Sequence, residues 1–156
     1  MYDSTDDTME HINKVRWFLI KVAVELIDRG VHHDESKLVE PEKSVIDEFT
    51  PKMKHLIYNS PEYQQCLKEM KPALDYHYTH NSHHSEFYPN GINDMNLIDI
   101  VELLLDWLAA TQRNPGGDIY KSIEIGKTRF GISDQLSQIF INTVKFFEEK
   151  EETNGN

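Results

Sequence analysis

The sequence predicts an all-α fold, on three observations. Apolar residues recur at three- and four-residue spacings over long stretches, as on a helix with one buried face. Alternating β-branched runs, the mark of a half-buried strand, are few. Glycine is scarce, with seven in 156 residues, so turn points of the kind that separate short strands are few as well.

Residues 8–28 form the first expected helix, with Val15, Phe18, Val22 and Leu26 on one stripe and Gly30 as a C-terminal stop. A shorter segment over 33–49 is interrupted at Pro41 and again at Pro51. Ser60-Pro61-Glu62 reads as an N-cap with proline in the first turn, opening a helix over 60–80. Asn90-Gly91 marks a turn. The clearest helix covers 94–112, where Leu97, Ile98, Val101, Leu105 and Leu108 share a face, and Pro115-Gly116-Gly117 ends it. Two more follow over 118–129 and 133–149, the second capped by Ser133. The polar stretch 151–156 is expected to be a disordered tail. No repeat or linker divides the rest, so residues 1–150 are expected to form one domain of some six helices.

Composition narrows the function classes. There are 16 Lys+Arg against 27 Asp+Glu, a formal net charge of −11. A long nucleic acid is an unsuitable partner for such a surface, because phosphate backbones need clustered lysine and arginine. A small anionic ligand remains compatible if a metal offsets the field locally. The one cysteine, Cys66, allows no intrachain disulfide and points to a reducing, cytoplasmic compartment. No apolar run approaches the roughly 20 residues of a membrane span. The acidic opening residues are unlike a secretory signal. Eight histidines stand out, four of them between His77 and His84.

Four candidate groups carry metal-ligating chemistry. His33-Asp34 offers an imidazole nitrogen beside a carboxylate that can bridge two ions, with Lys37 three residues on. His11 falls on the apolar stripe of the first helix and is expected to be buried, where an imidazole needs a partner. His77, His80, His83 and His84 lie close to Glu86, and a helix continued to His84 would gather His77, His80 and His84 within about 60° of one face. Asp106 shares a stripe with Asp99, Glu102 and Arg113, flanked by Ala109 and Ala110. Each group alone has a plain structural explanation: a dipole-complementing helix start, a core histidine, a polar loop, a solvated face.

The order His11, His33-Asp34, the 77–84 histidines and Asp106 resembles the HD-domain superfamily of metal-dependent phosphohydrolases. His33-Asp34-Glu35-Ser36-Lys37 is similar to the His-Asp-x-Gly-Lys of its HD-GYP branch, whose lysine contacts the substrate phosphate. His83-His84-Ser85-Glu86 is loosely similar to that branch's His-His-Glu region. Gly-Tyr-Pro is absent and Ser36 stands in the glycine position, so cyclic-dinucleotide cleavage is not implied. The run His77-x-x-x-Asn81-x-His83-His84-x-Glu86 with a later Asp106-Trp107 is similar to small bacterial and phage proteins of the superfamily.

The resemblance implies an HD-like helical domain with two divalent ions, Mn²⁺, Fe²⁺ or Mg²⁺. His11, His33, Asp34 and Asp106 would hold one; His77, His83 and His84 would hold the second, with Asp34 bridging. Asp34, Lys37 and Glu86 are the implied catalytic set, Glu86 orienting a histidine. Lys37, Arg113 and Asn81 would meet the substrate. The expected reaction is hydrolysis of a small phosphate ester, a nucleotide first, by a metal-activated water. An HD-fold di-iron oxygenase and a non-enzymatic metal-binding helical module are the competing expectations.

Overall fold

A computed structural model describes residues 2–57, 60–113 and 116–154, and among them the protein is all-α, with seven α-helices and three short 3-10 turns. The chain divides into two compact units, Met1–His33 and Asp34–Asn156.

The first unit is one helix, α1 (Thr5–His32), whose 28 residues span about 42 Å. Asp6 and Asp7 in its first turn and Arg29 and His32 in its last complement the helix dipole. Gly30, the expected stop, lies inside it. A helical glycine costs about 1 kcal/mol but keeps its N–H, so the ladder continues for two more residues. None of the helix is buried, and His11, expected on a buried stripe, is exposed. The apolar stripe exists, with Val15, Phe18 and Val22 all exposed. A lone helix has no second surface within its own unit to cover it.

The second unit opens with the 3-10 turn Glu35–Leu38, packed on α2 (Glu42–Met53). Pro51, expected to break the chain, sits in the last turn of α2, which ends two residues later. Proline there removes one ladder bond, but with only two residues left beyond it the helix is shortened and not split. α3 (Pro61–Glu69) starts as the sequence predicts: Ser60 Oγ accepts from the Tyr63 amide at 3.2 Å. The single helix expected over 60–80 is two, because α3 stops and α4 (Lys71–His80) begins at the buried Met70. Pro72 has no N–H for the Lys68 carbonyl, so one ladder cannot run through. α4 ends at Asn81, which is extended, and the chain to the next helix carries the 3-10 turns Ser85–Phe87 and Gly91–Asp94.

α5 (Leu97–Arg113) begins three residues later than expected, at a reciprocal cap. Asn96 Oδ1 accepts from the Ile98 and Asp99 amides, at 2.8 and 3.2 Å, and Asp99 Oδ2 accepts from the Asn96 amide at 2.9 Å. Pro115, part of the expected stop, lies outside the described residues. α6 (Ile119–Phe130) is capped by Asp118 and ends at Gly131, whose φ of +70° is left-handed. α7 (Asp134–Asn154) starts on Ser133 and runs past 149, so the expected tail begins as helix; residues 155–156 lie outside the described residues.

The core is formed by Leu103 and Leu104 of α5, Ile119 and Ile123 of α6, and Phe140 and Val144 of α7, with Ile92 and Ile132. Each fully buried side chain of this size is worth about 1.5–3 kcal/mol. Phe140 belongs to this core, whereas Phe146 and Phe147 are exposed. α2, α3 and α4 pack on one another, burying Phe49, Met70 and Ala73. On the surface, Lys14, Arg29, Lys43, Lys52 and Lys71 each meet a carboxylate one helical turn away. No helix among the described residues is long and apolar enough to cross a membrane.

Candidate metal centre

Three stretches of the second unit converge on one buried point. Asp34 stands at the chain entry to the 3-10 turn, with a φ of +61°. Aspartate is among the few side chains that tolerate this left-handed conformation, since its short carboxylate reaches local donors. His77 comes from the buried face of α4, and His83 and His84 come from the loop beyond it. Asp106 and Glu102 sit one turn apart on α5.

Asp34 Oδ1 faces His77 Nε2 at 3.2 Å and His83 Nε2 at 3.5 Å. The ring nitrogens of His77, His83 and His84 gather within 4.8 Å of one another, and carboxylate oxygens of Asp34 and Asp106 lie within 4.8 Å of each other. His77 is 2% exposed and His83 3%. Behind them stand two further carboxylates: Glu42 Oε2 lies 2.9 Å from His77 Nδ1, and Glu102 Oε1 lies 3.2 Å from His83 Nδ1. Glu42 is itself 1% exposed.

His77 Nδ1 also lies 3.0 Å from the Asn81 amide nitrogen. Imidazoles and carboxylates thus crowd one dry point, where a cation would be held by several of them at once. The buried Nε2 atoms of His77 and His84 receive no hydrogen bond. Leaving such an atom unmatched costs about 1–3 kcal/mol. The donor set and its orphaned atoms therefore fit a divalent transition ion.

The protonation states agree with this. Burial raises the Asp34 carboxyl, but the His77 and His83 imidazoles and the Lys37 ammonium together outweigh it and hold the group well below the usual carboxylate range. Burial pushes His84 down to about 3, helped by the neighbouring His83 and His77 and opposed by Asp106. At neutral pH these groups are a carboxylate and a neutral imidazole, the forms that ligate metal.

The expected site residues divide clearly. Asp34, His77, His83, His84 and Asp106 come together. Lys37 reaches the same place, its Nζ 2.5 Å from Asp34 Oδ2. Asn81 lies behind the cluster, its amide donating to Ser36 Oγ at 3.1 Å and to the His77 carbonyl at 2.8 Å, so it braces α4. Glu86, expected to orient a histidine, instead pairs with Arg129 at 3.3 Å, and that orienting position is held by Glu42 and Glu102. Arg113 ends α5, two turns and about 10 Å beyond Asp106 along the axis. His80 is outside the cluster, stacked on Tyr76 at 3.9 Å, because α4 stops before the 77–84 segment can share one face. His33 caps α1, directly before Asp34 in the chain, and His11 lies within α1. Sequence reasoning missed Glu42 altogether and took Glu102 for part of a solvated face. Its place one turn before Asp106 was the available signal.

A family with the description "Family of unknown function (DUF5662)" matches residues 1–147. No curated protein and no solved structure matches.

Proposed function

We propose that the chain, which belongs to the DUF5662 family, is a metal-dependent phosphohydrolase acting on a small phosphate ester, with nucleotides the first class to test. The observation that carries this reading is the convergence of His77, His83 and His84 with Asp34 and Asp106, backed by the Glu42 and Glu102 carboxylates. Three imidazoles suit Fe²⁺ or Mn²⁺ better than Mg²⁺, which prefers oxygen ligands. His77, His83 and His84 would hold one ion and Asp34 and Asp106 a second. Ions held there supply positive charge that polarises a phosphoryl oxygen and acidifies a water molecule.

The protein's own side chains have separable tasks. Glu42 and Glu102, each beside an Nδ1, orient the His77 and His83 rings. Burial of His77 and His83 keeps bulk water out, which strengthens every charge interaction inside. Lys37 meets the phosphate as a point charge, moving from Asp34 to the substrate. With a net charge of −11, the site otherwise has little to attract an anion.

The test is elemental analysis followed by phosphate release from a panel of nucleoside mono-, di- and triphosphates. We expect about two ions per chain, about one in His84→Ala, and the loss of most metal in Asp34→Ala, whose carboxylate faces His77 and His83. Lys37→Met keeps its metal and loses roughly 10- to 1,000-fold in kcat/KM, the effect of removing one charge-stabilising contact. Metal bound without turnover on any phosphate ester overturns the hydrolase and leaves a metal-binding module. Oxygen consumption by the iron-loaded protein would instead favour oxygenase chemistry.

A further inference from the structure

A cavity of about 410 Å³ opens between α5 and α6. Its volume is within the range of small-molecule sites. Trp107, Ala110, Ile125 and Phe130 line it with apolar and aromatic surface, while Lys121 and Arg129 bring two cations to the same space. The rings of Trp107 and Phe130 lie 5.6 Å apart at 29°, one stacked wall. Lys121 meets Asp118 at 3.5 Å, and Arg129 meets Glu86 at 3.3 Å while lying over the Phe130 ring, 4.6 Å from its centre. Exposed pairs this long contribute little, so a ligand anion can displace either carboxylate.

Two connections join the cavity to the metal centre. Ala110 is four residues after Asp106, hence on the same stripe of α5 and about 6 Å further along it. Glu86, the partner of Arg129, follows His84 by two residues on the same loop. The cavity thus lies one helical turn along α5 from Asp106. It holds two cations, Lys121 and Arg129, against one carboxylate, Asp118, and much of its wall is apolar.

We infer that this cavity holds the organic part of the phosphate ester: a planar, aromatic leaving group, stacked on Trp107, with acidic substituents met by Arg129 and Lys121. The inference rests on the phosphohydrolase reading and adds the substrate class to it. An ester with an aromatic leaving group, such as phenyl phosphate or a nucleotide whose base reaches the wall, would be preferred over methyl phosphate. Aromatic stacking is worth about 0.5–1.5 kcal/mol beyond area burial. That is a preference of roughly 2- to 13-fold from stacking alone, to which burial of the ring adds.

The test separates binding from turnover. In a Trp17→Phe background Trp107 is the sole tryptophan, and its fluorescence is titrated with phenylphosphonate, which cannot be hydrolysed at an ester bond. Saturable quenching is expected, weakened at least 10-fold by Ala110→Leu, which fills the cavity from an exposed helix position. With 4-carboxyphenylphosphonate, whose ring carries an acidic substituent, Arg129→Gln should weaken it by a smaller factor. Alongside, the ratio of kcat/KM for phenyl over methyl phosphate should fall in Ala110→Leu. Quenching without hydrolysis of any ester would retain the cavity as a ligand site and reject the hydrolase. Hydrolysis with no quenching, and a phenyl-to-methyl ratio untouched by Ala110→Leu, would reject the cavity's role while keeping the hydrolase.

Discussion

Asp34 and His84 show how one residue's environment decides its chemistry. His84 is held neutral by burial, with a pKa near 3 against about 6.5 in an unfolded chain. Below pH 6.5 the unfolded chain takes up a proton that the native state refuses. The contribution is thus fully present above pH 6.5 and is lost as pH falls toward 3. Asp34 adds to this below the ordinary carboxylate range, where protonation ends its contacts with His77 and His83. Chelator-treated protein should therefore melt at steadily lower temperature from pH 7 to pH 4.5, by circular dichroism, with a few kcal/mol lost. His84→Leu should flatten the part between pH 6.5 and 5, and an unchanged slope would place the acid sensitivity elsewhere. At this scale the grouping of His77, His83 and His84 with both aspartates was legible, since the sequence singled out these residue types, whereas His11 and His80 were drawn in by a buried stripe and a helix continuation that the structure does not have. Glu42 was not, because nothing in a glutamate after a proline tells that it will be buried against an imidazole.

Among the elements, helix existence was legible and helix ends were only partly so. Ser60, Asp118 and Ser133 cap where they were expected or within a residue of it, since a side-chain oxygen beside free amides is a local event. The break at Met70 depended on Pro72, which a strong start signal at Ser60 overshadowed. That break bears on the candidate site, because it sets α4 apart from α3 and leaves Asn81 to fix its end against Ser36. The packing of α6 on α5 gives a prediction. A Cβ on Gly126 would lie 2.5 Å from Trp107 Cη2 and 2.8 Å from Cζ3. The indole is confined by Phe130 and Phe140, with centroids at 5.6 and 6.2 Å. Gly126→Ala gains about 1 kcal/mol of helix propensity but overpacks this corner at a cost of about 1–3 kcal/mol. Net destabilisation by urea unfolding is expected, and a stabilised variant would show that the ring has room to move.

Over the whole molecule, composition correctly indicated helices and no membrane-crossing helix among the described residues. It could not indicate that α1 is a unit of its own with no buried residue, because an apolar stripe tells that a helix has a face to cover and not what covers it. The ladder of surface pairs has a kinetic consequence. With Lys14, Arg29, Lys43, Lys52 and Lys71 each beside a carboxylate, much of the positive charge is neutralised locally and the surplus of negative charge dominates at a distance. An approaching phosphate ester meets repulsion before it meets the site, the opposite of electrostatic steering. That repulsion reaches about 30 Å at 0.01 M ionic strength and about 8 Å at 0.15 M. Added sodium chloride should therefore speed the encounter, raising kcat/KM for an anionic ester over that interval while leaving kcat flat, and a rate that falls with salt would mean that local cations govern the approach.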